Sequence, residues 1–126
     1  MSPFFAEFFG TAMILVFGCG VVANVLLKNT KGNNSGWIVI SFGWAVGVFT
    51  GILISAPISG AHLNPAVTLG LAIVHKFSWN LVPGYICAQT LGAMFGAGLV
   101  WLAYKKHFDV TDDAEAKLAV SVHRRI

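Results

Sequence analysis

The chain has 126 residues, of which 56% are hydrophobic, 8 are Lys or Arg and 5 are Asp or Glu. Soluble domains carry charge on about a quarter of their residues, so this composition excludes an ordinary water-facing surface. The low charge and the 13% aromatic content also exclude a disordered chain, and the scattered basic groups give no reason to expect nucleic acid as a partner. Uncharged stretches at 8–27, 32–75 and 77–104 are each long enough to cross a bilayer. The sequence therefore predicts an all-α, multi-pass protein of the cell membrane.

The predicted helices follow these stretches in chain order. A first membrane helix covers about residues 4–27 and ends in a polar loop rich in Asn, Gly and Lys. A second covers about residues 37–56. The rest of the middle stretch is too short for another full crossing with its connecting loop. A third membrane helix covers about residues 83–104.

The apolar segment between the second and third helices fits a re-entrant half-helix over about residues 65–75. Its 11 residues would rise about 16 Å, roughly half of a bilayer core. Asn64 is a favoured residue type for a helix N-cap, and Pro65 suits the first helical turn. Irregular backbone at membrane depth is tolerated only where it lines a cavity or is buried in protein. The segment before Pro65 is therefore a candidate functional loop.

Small residues recur at every fourth position on two of the predicted membrane helices. Such spacing lets helix backbones approach closely in lipid, so it predicts a tightly packed bundle. The alternative is that glycine is simply frequent in membrane helices. The candidate packing residues are Gly43, Gly47 and Gly51 on the second helix and Gly84, Ala88, Gly92 and Gly96 on the third.

The most specific pattern is the block at residues 59–68, which reads Ser-Gly-Ala-His-Leu-Asn-Pro-Ala-Val-Thr. This block follows a membrane helix and opens a half-length one, and it resembles the first half of the major intrinsic proteins, the water and glycerol channels. The resemblance covers roughly residues 4–108 and includes Ala6-Glu7-Phe8-Phe9-Gly10-Thr11, Tyr85 and Gln89. It implies three transmembrane helices plus one re-entrant half-helix, which form one repeat of an aquaporin-like inverted-repeat fold.

The resemblance also implies roles for particular residues. A half-helix that begins at mid-membrane directs a partial positive charge at the passage in front of it, which disfavours cations and protons. Free carbonyls before the half-helix would accept hydrogen bonds from a passing solute, and the Asn64 amide would donate one. The implied pore-lining or selectivity residues are Ser59, Gly60, Ala61, His62, Leu63, Asn64 and Trp44, with Pro65 and Ala66 at the cap of the half-helix.

Two polar residues on the membrane helices are implied to support the loop. Glu7 is the only acidic residue among the first 108, and in the family this position hydrogen-bonds the re-entrant backbone. The alternative is a side chain near a helix start that reaches the headgroups. Gln89 is implied to have a similar role, against the alternative of an ordinary interhelical hydrogen bond. His62, taken without the motif, is more typical of a loop-stabilising residue than of a pore-lining one.

Trp44 bears on solute preference. It lies 20 residues before Asn64, which by resemblance is the narrow constriction of the family. Glycerol facilitators typically have Trp there and water-selective channels typically have Phe, so the sequence favours glycerol and keeps a water-selective channel as the alternative. Trp is also frequent at membrane interfaces for unrelated reasons.

The sequence contains one repeat where the family has two. Residues 1–108 correspond to the first repeat, and no second Asn-Pro-Ala is present. Residues 109–126 are predicted to be a polar tail, interpreted as the start of an interhelical loop at which a longer channel is truncated. The expected activity, passive passage of glycerol, small neutral solutes and water, would then need a second half.

Two other hypotheses remain open at this stage. The chain could pair head to tail with an inverted copy of itself, or it could be a non-conducting membrane fragment that modulates the assembly of full-length relatives. The permeants and the lipid bilayer are the expected partners, and a tetramer is implied by the resemblance alone. No nucleophile, base and orienting group share one segment, so we expect no enzyme activity, no cofactor and no metal site.

Overall fold

The computed structural model describes residues 1–121, and this part of the chain is all-helical, with no strand. The helices at Pro3–Leu26, Trp37–Ser59 and Trp79–Ala103 are long and apolar enough to cross a membrane, with mean hydropathies of 2.1, 2.1 and 1.6. The predicted fold class is therefore confirmed. The six α-helices of this part are α1 (Pro3–Leu26), α2 (Trp37–Ser59), α3 (Pro65–Ile73), α4 (Val82–Ala103), α5 (Lys105–Val110) and α6 (Ala114–Ser121), and a 3-10 turn at Trp79–Leu81 leads into α4.

The helix ends follow from local chemistry. The Ser2 hydroxyl accepts a hydrogen bond from the Phe5 backbone N–H (3.2 Å) at the start of α1. The α2 helix continues to Ser59, three residues beyond the predicted end at residue 56, even though Pro57 lies inside its last turn. Gly60 then ends it in the left-handed conformation, with φ of 84°. The Ser59 hydroxyl, which lies 2.6 Å from Glu7 Oε1 and 3.1 Å from the Ser55 carbonyl oxygen, ties this last turn to α1 and to its own helix.

The α1 helix lies between α2 and α4, and these two outer helices each pack along it while making few contacts with one another. Of the most apolar part of α1, 44% is buried, against 22% for each outer helix. Large side chains on the outer faces of α2 and α4 are consequently exposed, as for Phe42, Phe49 and Met94. Such faces are suited to lipid or to another membrane segment.

The fourth-position glycines face α1. A Cβ added at Gly51 would lie 2.7 Å from the Gly10 carbonyl oxygen, and one added at Gly92 would overlap the carbonyl oxygen of Phe8. The ladders Gly43, Gly47, Gly51 and Gly84, Gly92, Gly96 all meet atoms of α1 in this way. The backbones of α2 and α4 therefore approach α1 closely, as the spacing of small residues predicts.

The segment predicted as a polar tail carries ordered helices. Ala116, Ala119 and Val120 of α6 are buried, and the last two join an apolar cluster with Val25 and Leu27 at the end of α1. The Thr111 hydroxyl accepts from the Lys28 backbone N–H (3.0 Å) and so attaches this segment to the loop after α1. Its final residues, 122–126, lie outside the described part of the chain.

The two cysteines differ in their surroundings. Cys19 and Cys87 both lie in apolar runs, a pattern that predicts small buried residues rather than a disulfide or metal pair. Cys19 is buried between helices, but Cys87 is exposed on the outer face of α4. The prediction for Cys87 was wrong because an apolar run in a membrane helix does not distinguish the lipid-facing side from the packed side.

We expect Gly92→Ala to destabilise the protein by about 2 kcal/mol or more, because the added methyl would collide with main-chain atoms of Phe8 that cannot move independently. The matched control is Gly98→Ala on the same helix, where an added Cβ meets no atom within 4 Å. That change should be neutral or stabilise by about 0.5–1 kcal/mol. Thermal unfolding in mild detergent measures both variants, and equal midpoints would contradict this packing.

Candidate pore-lining site

Glu7 on α1 is fully buried, and its carboxylate is surrounded by hydrogen-bond donors. The Oε1 atom accepts from the Ser59 hydroxyl (2.6 Å) and from the His62 backbone N–H (3.0 Å). The Oε2 atom accepts from the Leu63 backbone N–H (2.7 Å) and from the Gln89 side-chain amide (2.8 Å). Because charge-assisted hydrogen bonds are the strong ones, this single side chain ties α1 to the end of α2, to the loop and to α4.

The loop between α2 and α3 has an unusual backbone. Gly60, Ala61 and Leu63 have φ of 84°, 53° and 55°. Positive φ is costly for residues with a Cβ, so Ala61 and Leu63 need support from their surroundings. The carboxylate of Glu7 supplies it by binding the N–H groups of His62 and Leu63. The Leu63 side chain also packs against Gly10 and Gly51. A side chain at either glycine would crowd the Leu63 side chain.

A second polar chain supports the start of the half-helix. Besides Glu7, the Gln89 Nε2 atom donates to the Thr68 hydroxyl (3.0 Å), and that hydroxyl lies 2.9 Å from His62 Nδ1. The rings of Phe77 and Tyr85 pack on the His62 ring with centroid distances of 4.5 Å and 4.9 Å. The imidazole is therefore buried between these two rings and the Thr68 hydroxyl.

Asn64 has the opposite placement. Its side chain is exposed, and its Oδ1 atom accepts from the Ala66 backbone N–H (2.8 Å), which caps α3. This bond uses the amide oxygen, and the NH₂ group of the same amide makes no hydrogen bond within residues 1–121. Pro65 occupies the first helical position, as predicted. The N-terminus of α3, its partial positive charge and the Asn64 donor thus lie at an open surface.

Most of the main-chain carbonyls of the loop are free acceptors, but one that was expected to be free is occupied. No hydrogen bond from residues 1–121 reaches the carbonyl oxygens of residues 60–63. The Ser59 carbonyl is different, because it accepts from the Tyr85 hydroxyl (2.9 Å). The Ser59 carbonyl is therefore not a free acceptor, although it was expected to be one. Ser59 instead links α2 with α4 and with Glu7. Ser59, His62 and Leu63 are all buried.

Trp44 lies on the half of α2 that is distant from its end at Ser59. It is on α2, 15 residues before Ser59, which corresponds to roughly 22 Å along the helix axis. Its ring is partly buried and packs on Gly18 of α1, where an added Cβ would overlap the indole. The loop folds back along α2 after Ser59, since Leu63, the neighbour of Asn64, packs against Gly51, seven residues after Trp44.

Sequence reasoning assigned no role to three residues that complete the site. Tyr85, named only as part of the resemblance, bonds the Ser59 carbonyl, and Thr68 connects His62 with Gln89. Phe77 lies in the segment between α3 and the 3-10 turn and covers His62. The partners of these residues lie 6–26 residues away in the chain, and no local pattern reports such contacts.

Fold and site together define a multi-pass helical membrane protein whose re-entrant half-helix carries a capping asparagine at its exposed start. The family model for major intrinsic proteins matches residues 1–125. A probable glycerol uptake facilitator protein of Thermotoga maritima is 56% identical over 120 residues, and a glycerol uptake facilitator protein of Bacillus subtilis is 48% identical over 120. The aquaglyceroporin structure from Plasmodium falciparum matches with a TM-score of 0.77 and 39% identity. The chain belongs to the major intrinsic protein family.

The matches cover nearly all of this chain and about half of each relative. The alignments span 95% of the chain in both bacterial cases, but 51% of the Thermotoga protein and 44% of the Bacillus protein. The structural match covers 85% of this chain and 43% of the Plasmodium chain. The chain thus spans about half the length of the relatives it matches.

We expect Glu7→Gln to destabilise the protein by about 2–3 kcal/mol. Each carboxylate oxygen accepts from two donors, so whichever way the amide turns, its NH₂ group faces two donors and loses both bonds. Glu115→Gln, at an exposed position on α6, is the matched control and should leave stability unchanged. Unfolding midpoints in detergent provide the comparison, and a Glu7→Gln variant as stable as the control would show that the carboxylate does not hold the loop.

Proposed function

We propose that this chain forms half of a passive membrane channel for glycerol, other small neutral solutes and water, and that conduction needs a second half. The observation that carries the proposal is the exposed start of α3. There Asn64, the N-cap of α3, retains a free amide donor, and the carbonyls of residues 60–63 remain free acceptors. A hydroxyl-bearing solute needs such a pairing of donors and acceptors to leave water without loss of hydrogen bonds.

Exclusion of ions follows from the same geometry. A helix N-terminus carries about half a positive elementary charge, and α3 presents this end to the open surface together with an amide donor. A cation there is repelled and finds no anionic ligand, because the one carboxylate nearby, that of Glu7, is fully buried and already accepts four hydrogen bonds. A neutral solute meets no such barrier.

The choice of glycerol over water alone rests on Trp44 and on the relatives. A partly buried indole offers an apolar wall for the carbon backbone of a polyol. The bacterial relatives named above are glycerol uptake facilitators, and the structural relative is an aquaglyceroporin. A water-selective half is the alternative, and solute measurements distinguish the two.

A second half is proposed because residues 1–121 surround no closed passage. The α2 and α4 helices flank α1 and leave the start of α3 open on one side. The relatives are about twice as long as the chain, so they contain further polypeptide that could cover this side.

The test is flux into liposomes, measured by light scattering after an osmotic step. The purified chain is reconstituted alone and together with the part of the Thermotoga relative that it does not match. We expect glycerol flux above background only when both are present, with ion conductance at background. Water flux without glycerol flux would favour the water-selective alternative, and absence of both would overturn the proposal.

In the conducting form we expect Asn64→Asp to reduce glycerol flux roughly tenfold and to raise cation conductance. Aspartate caps a helix as well as asparagine and its charge suits a helix N-terminus, so the fold should persist. The donor to the solute is lost, worth about 1.4 kcal/mol, and a negative charge offsets the helix dipole.

Asn80→Asp, at an exposed position in the 3-10 turn, makes the same chemical change outside the site and is the control. Flux and conductance are measured on liposomes with equal amounts of each variant. If Asn64→Asp matches Asn80→Asp in both readouts, then Asn64 does not line the passage.

A further inference from the structure

One side of α1 carries three successive levels of contacts. Glu7, Gly18 and Val25 point in the same direction to within about 20°, because an α-helix turns by about 100° per residue. Glu7 binds the loop before α3, and Gly18, about 16 Å further along the helix, packs on Trp44. Val25 lies about 10 Å beyond Gly18 and is 3% exposed. The side of α1 that holds the loop is therefore also covered at its far end.

The α6 helix forms part of this cover. Ala119 and Val120 of α6 belong to one apolar cluster with Val25. Ile40 on α2, one turn before Trp44, is 2% exposed in the same cluster, and the Trp44 side chain packs against this cluster. The α6 helix thus lies at the level beyond Trp44, on the same side of the molecule.

Residues 105–121, which contain α5 and α6, are called the cap segment below. Within residues 1–121, the hydrogen bonds and the ion pair that join this segment to α1 and its following loop all involve Lys28. The Lys28 backbone N–H donates to the Thr111 hydroxyl (3.0 Å), and the Lys28 carbonyl accepts from His107 Nδ1 (3.0 Å). The Lys28 ammonium forms an ion pair with Asp112 (3.5 Å). A single residue therefore makes the polar attachment of the cap segment to this loop.

The attachment of the cap segment is weak compared with the packing of the long helices. An isolated helix shorter than about 12 residues is marginal in water, and α6 has 8 residues. Its buried side chains are Ala116, Ala119 and Val120, so little apolar area holds it in place. The ion pair between Lys28 and Asp112 is exposed, and exposed pairs contribute little stability. The cap segment is therefore suited to open locally while the long helices stay folded.

We propose that the cap segment is a lid over the Trp44 end of the passage, held closed by Lys28, and that neutral solutes enter at this end when the lid opens. In the closed state, the level beyond Trp44 holds aliphatic side chains, which offer no hydrogen bond to a hydroxyl group. Opening exposes that level to water, so a solute reaches Trp44 while it is still hydrated. The inference rests on the proposed function, since it assumes that solutes pass Trp44.

The first test links the lid in its closed position. In a chain with Cys19 and Cys87 replaced by alanine, Lys28→Cys and Asp112→Cys are joined by a short bifunctional thiol reagent that a reductant cleaves. Flux is measured in liposomes that also contain the part of the Thermotoga relative that this chain does not match. We expect glycerol flux to fall at least fivefold and to recover when the reductant cleaves the link.

The matched control places the same link inside the cap segment. Lys105→Cys and Asp109→Cys replace an ion pair within α5 (3.7 Å), so their link does not reach α1. Glycerol flux should stay within twofold of the parent before and after reduction. An equal loss of flux with both links, or unchanged flux with the lid linked shut, would overturn the inference.

The second test measures opening in this chain alone. Val25→Cys, in the same cysteine-free background, places a thiol in the cluster beneath α6, and its rate of modification by a charged maleimide in mild detergent depends on the open fraction. Thr111→Val removes the acceptor of the Lys28 N–H and should raise this rate about three- to tenfold. Thr90→Val makes the same change at a hydroxyl bonded within α4 and should leave the rate unchanged.

The two tests separate this inference from the proposed function. If the parent assembly gives no flux, the proposed function fails, whereas flux that ignores the closed link contradicts the lid alone. Equal modification rates for Thr111→Val and Thr90→Val would also contradict the lid. So would a rise in rate that is fully explained by a lower unfolding midpoint, because Val25 would then become accessible only when the whole chain unfolds.

Discussion

The buried carboxylate of Glu7 is the interaction on which the functional region depends. It accepts two backbone and two side-chain hydrogen bonds, and three of these donors belong to the irregular segment at the end of α2 or in the loop after it. Without an acceptor of this strength, the loop N–H groups would be buried and unsatisfied while Ala61 and Leu63 remained in a costly conformation. An acidic residue in an apolar helix is thus explained by the backbone it holds, and its own cost is offset by four donors.

Close packing of α1 with its neighbours brings the carboxylate within reach of those donors. Gly10 and Gly51 let α1 and α2 meet at backbone distance, while Gly92 does the same for α4 against Phe8. A side chain at any of these positions would move an outer helix away from α1. The Gln89 amide on α4 and the Ser59 hydroxyl on α2 would then lose their distances of 2.8 Å and 2.6 Å to Glu7. The glycine ladders therefore set the distances between Glu7 and its hydrogen-bond donors.

The same rigid support determines what the site leaves open. Every donor that faces Glu7 is used, whereas the Asn64 amide, the carbonyls of residues 60–63 and two polar atoms of Thr11 and Gln89 lack partners within residues 1–121. The first two groups lie at the exposed start of α3, and the last two are buried beside it. The chain spans about half the length of its relatives, and the start of α3 is open on one side.

The sequence by itself determined the membrane class, the three long helices and the start of the half-helix at Pro65, because apolar length, capping and proline act within a few residues of each other. The resemblance to the family also indicated that Glu7 and Gln89 support the loop before the half-helix. Only the tertiary structure decided that His62 is enclosed, that the Ser59 carbonyl is taken by Tyr85, that α2 continues through Pro57 and that α6 packs on α1. These outcomes depend on contacts between residues far apart in the chain, such as Glu7 with Ser59 and with Gln89. A carbonyl is free or occupied according to which helix packs beside it, and no local pattern of residue types contains that information.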